Sequence, residues 1–279
     1  GAHGLGVERL RAPVSSLCKV DPDEFRIWIN DFTSCAVLVL DECGQLLQQL
    51  GTPGTCGSTS KPLLFDQNSD TVFRPAATGA MTTAFIADGD GGAANRVISL
   101  MVPDSFTDPV EVRWATDAIF KNPHGAALHE RSDLLIVADR EHYAIRFLHA
   151  SNGSESGQWS CPALQLGTQG VPFAVRTFPV PGMVASTGSL RDLDLLLIGI
   201  MDNPQDGKHQ RIVVLDVSSL GKVDLPQVPC NVLQEITLDP SEFSGPHFLD
   251  VDGESGDLYV ALVANKPKST VLRYRLSQP

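Results

Sequence analysis

The strongest constraint on this chain is a layout of short apolar runs and turns that returns along its length. Between Ile119 and Gly153 it reads as a Pro-His turn, a strand over Gly125–Leu128, a charged turn over His129–Ser132 and an apolar strand over Asp133–Ala138. A polar turn over Asp139–His142, a strand over Tyr143–His149 and an Asn-Gly-Ser loop complete the unit. Short β-rich runs separated by such turn signals predict antiparallel strands in a meander. The layout returns 123 positions later, where Pro246-His247 answers Pro123-His124 and Val260-Ala261 answers Val137-Ala138. Weaker copies start at Phe25, Ala84 and Asp194. With Asp31, Asp88, Asp139, Met201-Asp202 and Leu262 as equivalent turn positions, the spacing runs from 51 to 63 residues. Small antiparallel sheets repeated at such an interval predict an all-β fold, a β-propeller, with five units visible and a sixth if the N-terminus is truncated.

No linker divides the 279 residues, so a single domain over 1–279 is expected. The first unit runs from Pro13 to about Gly57 with strands at Arg26–Asn30, Ala36–Leu40 and Leu46–Leu50, and the second from Phe65 to about Trp114. The third ends near Gly170. The fourth, Val171 to Asp239, contains Pro179, Pro181, Pro226 and Pro229, which are expected in loops because proline cannot donate to a strand ladder. The fifth, Phe243 to Pro279, is one outer strand short. Residues 1 to 12, polar and glycine-containing, are expected as a loose tail or as a strand added to the last unit, where they would hide two sheet edges.

A net charge of −12 without any basic cluster argues against nucleic acid or an anionic membrane as partner. The longest apolar run, Leu193 to Met201, is broken by Asp194 and Gly199 and falls far short of the ~18 residues that span a bilayer, so no direct membrane insertion is expected. The chain opens on Gly-Ala-His with neither an initiator Met nor an apolar leader, as a mature form does after processing. Six cysteines lack Cys-x-x-Cys spacing, which favours disulfides over structural zinc. Cys161 and Cys230 flank the fourth unit and could be joined, leaving Cys18, Cys35, Cys43 and Cys56 to pair among themselves in one of three ways. Asn152-Gly153-Ser154 is a glycosylation sequon in a surface loop. Cysteine usage, sequon and start together point to an extracellular, secreted protein.

Asp88-Gly89-Asp90 resembles the start of a calcium loop, because closely spaced carboxylates on a turning backbone can converge on a hard cation. A tight glycine-rich connection between strands explains the same residues without an ion. Arg140, beside Glu141 and His142, could hold an anionic ligand, since a guanidinium fork matches a carboxylate. His142 and Tyr143 admit an acid–base reading. His129, His149 and His209 read as surface residues, and Trp28, Trp114 and Trp159 as packing residues. No Gly-x-Ser-x-Gly, phosphate loop or nucleophilic Cys/His pattern is present.

Asn122-Pro123-His124-Gly125, Val137-Ala138-Asp139-Arg140-Glu141 and Gly245-Pro246-His247 resemble NHL-repeat blades, and in particular the lyase domain of peptidylglycine amidating enzymes. Ala87-Asp88-Gly89-Asp90-Gly91-Gly92 with Asn95-Arg96, and His247 with Leu249-Asp250-Val251-Asp252, resemble the secreted NHL repeat-containing proteins related to that lyase. The resemblance implies a channel zinc held by three Pro-His imidazoles, of which His124 and His247 match two, and an active-site arginine matched by Arg140. It departs from the family at Pro13-Val14-Ser15-Ser16, where the remaining histidine belongs, at Asp90, where the lyase has a tyrosine, and at Phe248, where it has a calcium-binding aspartate. The expected function is a secreted, non-catalytic binding module for a protein or peptide ligand. The alternatives are a zinc-dependent peptidyl-α-hydroxyglycine lyase and a structural subunit of an extracellular assembly. No feature fixes an oligomeric state.

Overall fold

The computed structural model describes residues 2–9, 25–75, 81–103, 108–168, 170–184, 190–201, 210–239, 245–253, 255–262 and 271–275. Their strands form five antiparallel sheets in strict sequence order. The first holds β1 (Ala2–Arg9), β2 (Phe25–Asp31), β3 (Ala36–Leu40) and β4 (Leu46–Leu50). The second holds β5 (Asn68–Arg74), β6 (Thr82–Asp88), β7 (Arg96–Val102) and β8 (Glu111–Ala115). β9 (Pro123–His129), β10 (Leu134–Asp139), β11 (Ala144–His149) and β12 (Glu155–Trp159) make the third. The fourth is built of β13 (Val171–Val184), β14 (Leu190–Met201), β15 (Gln210–Asp216) and β16 (Asn231–Leu238), and the fifth of β17 (Pro246–Val251), β18 (Asp257–Leu262) and β19 (Val271–Arg275). Serial antiparallel meanders of this kind are the blades of a β-propeller, here five in number, four of them with four strands and the last with three among the described residues.

The equivalent turn positions read from the sequence close the second strand of every sheet: Asp31, Asp88, Asp139, Met201 and Leu262 end β2, β6, β10, β14 and β18. Two expectations are corrected. Residues 2–9 are neither a loose tail nor a strand of the last sheet; β1 pairs with β2, from Ala2 opposite Asp31 to Arg9 opposite Phe25. Its glycines are packing residues, since a Cβ on Gly4 would stand 2.0 Å from the Ser69 carbonyl oxygen of β5 and one on Gly6 would stand 2.9 Å from the Phe73 ring. Pro179 and Pro181 lie inside β13 rather than in a loop. β13 is an edge strand with a register shift between Val180 and Met183, the setting in which a missing N–H costs no ladder bond. Pro226 falls in a short 3-10 turn, Leu225–Gln227, and Pro229 in the loop that follows it.

The chain divides into two compact units, residues 1–126 with 152–154, and residues 127–151 with 155–279. In the first, Trp28, Val37, Val39 and Leu50 of one sheet pack with Ala84, Ile86, Ile98 and Leu100 of the next around buried Phe65. Trp28 meets Phe73 edge-to-face at 5.3 Å. In the second unit, alternation along β14 serves two cores. Leu196, Ile198 and Ile200 join Ile136, Ile145, Phe147 and Trp159, while Leu195 and Leu197 join Leu249, Leu258 and Val260. A strand buried on both faces in this way reads as a continuous apolar run, which Leu193 to Met201 is. Each such side chain contributes roughly 1.5–3 kcal/mol on burial. No helix among the described residues is long and apolar enough to cross a membrane.

Candidate functional site

The N-terminal unit holds His124, Asp88 and Asp90. Asp88 ends β6 fully buried. Its Oδ1 accepts the Asp66 N–H at 2.6 Å and its Oδ2 accepts from Arg96 Nε at 2.9 Å. Burial pushes the Asp88 carboxyl up to about 6, against the opposing pull of Arg96. The Arg96 guanidinium also donates to the carbonyls of Ser58 and Leu64. Asp66 in turn accepts the N–H groups of Ala93 and Ala94 at 2.5 and 2.8 Å, which clamps the glycine-rich connection. Gly89, at φ +132, is required there, because a Cβ would stand 2.4 Å from the Asn95 nitrogen. Asp90 faces another way, with Oδ2 3.6 Å from Nε2 of fully buried His124. The two carboxylates of the Asp-Gly-Asp turn thus take separate partners, a guanidinium and an imidazole.

In the C-terminal unit the turn after β10 carries Arg140. It is a 3-10 turn, Arg140–His142, closed by Tyr143 in the left-handed region at φ 54. The buried Asp139 carboxylate locks it, accepting from His142 Nδ1 and Arg146 Nε, each at 2.7 Å. His142, a candidate acid–base group in sequence, is therefore one arm of this lock. Arg140 lies with its guanidinium carbon 5.0 Å from the centre of the Phe173 ring, and its Nε donates to half-buried Glu141 at 3.2 Å. Phe173 neighbours His247 at 5.7 Å between ring centres, and His247 meets Phe248 edge-on at 4.6 Å. All four side chains are half-buried. Arg140, Phe173, His247 and Phe248 form one cationic and aromatic surface.

Phe173 escaped the sequence reading, although a signal was there. β9, β13 and β17 each carry a proline followed by a ring at or next to their start: Pro123-His124, Pro172-Phe173 and Pro246-His247. The fourth sheet carries a phenyl ring at the position where the third and fifth carry histidine. Among the described residues no group of three or more His, Cys, Asp or Glu side chains is disposed to hold a metal ion. The Asp90 carboxylate stands beside His124, and the rings of Phe173 and Phe248 stand beside His247. The segment Pro13-Val14-Ser15-Ser16 lies outside the described residues.

His129 is not a surface residue: it is 4% exposed at the end of β9, with Nδ1 2.6 Å from Ser132 Oγ and Nε2 3.3 Å from Asp194 Oδ2. Burial holds its imidazole below the ordinary histidine range, although Asp194 pulls the other way. His149 is exposed, and His209 lies outside the described residues. Cys35 is bonded to Cys56 and Cys161 to Cys230. Cys43 is also disulfide-bonded, and Cys18 lies outside the described residues. Trp28 and Trp159 are buried, and Trp159 Nε1 donates to the Val228 carbonyl at 3.0 Å.

Sheet order and blade motifs together define an NHL-type β-propeller. The chain is similar to NHL repeat-containing protein 3: it is 28% identical to the Homo sapiens protein over 257 residues, which cover 87% of this chain and 61% of that one. The Mus musculus protein is 28% identical over 259 residues, covering 88% and 62%. The chain thus spans about three fifths of the length of these curated relatives. No family model matches it. Among solved structures, a gluconolactonase from Xanthomonas campestris matches with a TM-score of 0.50 at 13% identity, over 85% of this chain and 65% of that one, a likeness of fold alone.

Proposed function

We propose that the chain is a secreted binding module, and that its C-terminal unit takes a protein or peptide ligand through a carboxylate. The observation that carries this reading is Arg140 stacked on Phe173. An aromatic face fixes the plane of a guanidinium, whose N–H edge matches a planar, two-pronged acceptor. Glu141 occupies part of that edge in an ion pair whose carboxylate side chain is 41% exposed. Such pairs contribute little, so a ligand carboxylate replaces Glu141 at small cost. Phe173, His247 and Phe248 supply apolar and aromatic contact around the charge, the composition of an interface anchor. The disulfides support an oxidising, extracellular setting.

The test is capture of peptides from a pool offered with free C-terminal carboxylates and, separately, with the carboxylates amidated. Retention of the free-acid pool, weakened about ten- to a hundredfold by Arg140→Gln, is the expected result, since a charge-assisted hydrogen bond is worth about 1.5–3 kcal/mol. Equal capture of both pools, or an Arg140→Gln variant that binds as the parent does, would remove Arg140 from the site. The melting temperature of the variant serves as the folding control.

A further inference from the structure

The turn Asn152-Gly153-Ser154, between β11 and β12, takes no part in the binding surface. Asn152 and Ser154 are exposed. Oδ1 of Asn152 accepts both the N–H and the hydroxyl of Ser154, at 2.9 and 2.8 Å. These two bonds fix the plane of the carboxamide and turn its oxygen back onto the chain. Its Nδ2 makes no hydrogen bond among the described residues. The turn is firmly seated: Gly153 is left-handed at φ +74, and a Cβ there would stand 2.6 Å from Cε3 of Trp114. The backbone lies on the indole, which packs in turn against Phe85 at 5.8 Å.

We infer that Asn152 carries an N-linked glycan. Nδ2 attacks the anomeric carbon of an oligosaccharide linked to a polyprenyl diphosphate. The bond from that carbon to the diphosphate oxygen breaks, the diphosphate leaves with the electron pair, and the Nδ2 proton passes to a base of the transferase. Transfer precedes folding, so the fold decides whether the modified chain can reach its native state. An asparagine whose Nδ2 was buried or bonded would forbid that, and Asn152 has neither obstacle. β12 is an edge strand, and a bulky hydrophilic group at its start blocks strand addition there.

The inference rests on the secreted reading, and its test separates the two. The chain is expressed in animal cells behind a heterologous leader, and the peptide containing Asn152 is analysed by mass spectrometry with and without peptide-N-glycosidase. The parent should carry a glycan that the enzyme removes, leaving aspartate at 152. Ser154→Thr should keep it, and Ser154→Ala should lower occupancy by at least about tenfold, because the acceptor motif requires the hydroxyl. Unmodified Asn152 in parent protein that has entered the secretory pathway would overturn the inference. Retention of the natural full-length protein inside cells would overturn the secreted reading and leave the leader experiment to decide the acceptor.

Discussion

Replacing Arg96 by Met removes the positive charge 2.9 Å from the Asp88 carboxylate, which has no solvent exposure, and its cost should depend on pH in a set direction. Met fills much of the same space, so the loss is electrostatic. Asp88 loses the donor at 2.9 Å, and the carbonyls of Ser58 and Leu64 lose theirs. Breaking a buried pair from one side costs about 3–5 kcal/mol, because the remaining charge stays desolvated. In the parent the Asp88 carboxyl titrates near 6, above its ordinary 3.8, so the native state binds more protons than the unfolded chain across that interval. The contribution of Asp88 to stability therefore falls as pH rises from about 4 to 6. Without Arg96 burial is opposed less, with the Asp66 N–H still in place, and the native value rises further, each unit adding about 1.4 kcal/mol to the cost once the parent is ionised. The penalty should be largest at pH 7.5 and smaller at pH 5, where Asp88 is neutral in both proteins. Urea unfolding followed by the fluorescence of Trp28 and Trp114, which share the unit, measures it. Asp88→Asn combined with Arg96→Met should recover part of the loss, since an amide oxygen can still accept the Asp66 N–H. A penalty below about 1 kcal/mol, or one equal at both pH values, would refute the reasoning.

Three further outcomes follow from named contacts. Gly4→Val should destabilise the N-terminal unit by about 3 kcal/mol or more, because even a Cβ collides with the Ser69 carbonyl; a melting temperature like the parent's would show that β1 does not pack there. Replacing Cys161 and Cys230 together by Ala should cost about 4 kcal/mol by the chain-entropy relation for a separation of 69 residues, read as a lower urea midpoint under non-reducing conditions. His129, held neutral by burial, binds protons more readily when unfolded, so its contribution is lost as pH falls below about 6.5; His129→Asn should flatten the acid side of the stability profile.

The fold was legible because each blade is a local meander whose turn chemistry repeats. Asp31, Asp88 and Asp139 mark strand ends in sequence and in space. What the sequence concealed were contacts between distant segments. Gly4 and Gly6 look like tail residues until β5 is placed against them, and proline argues against a strand unless the strand lies at an edge. His129 looks like part of a charged turn until Asp194, 65 positions on, is brought to its ring. The binding surface was half legible. Arg140 and His247 could be named from their motifs, but Phe173 joins them only because β13 carries, one residue in, the proline-ring pair that opens β9 and β17.

The proposed binding surface is tested most directly by hydrogen exchange on the whole chain, with and without a saturating free-acid peptide. Protection confined to residues 139–143, 171–174 and 246–249, and abolished by Arg140→Gln, is the predicted result. Protection elsewhere, or turnover of an α-hydroxyglycine peptide by protein carrying one zinc bound through His124, would contradict the account.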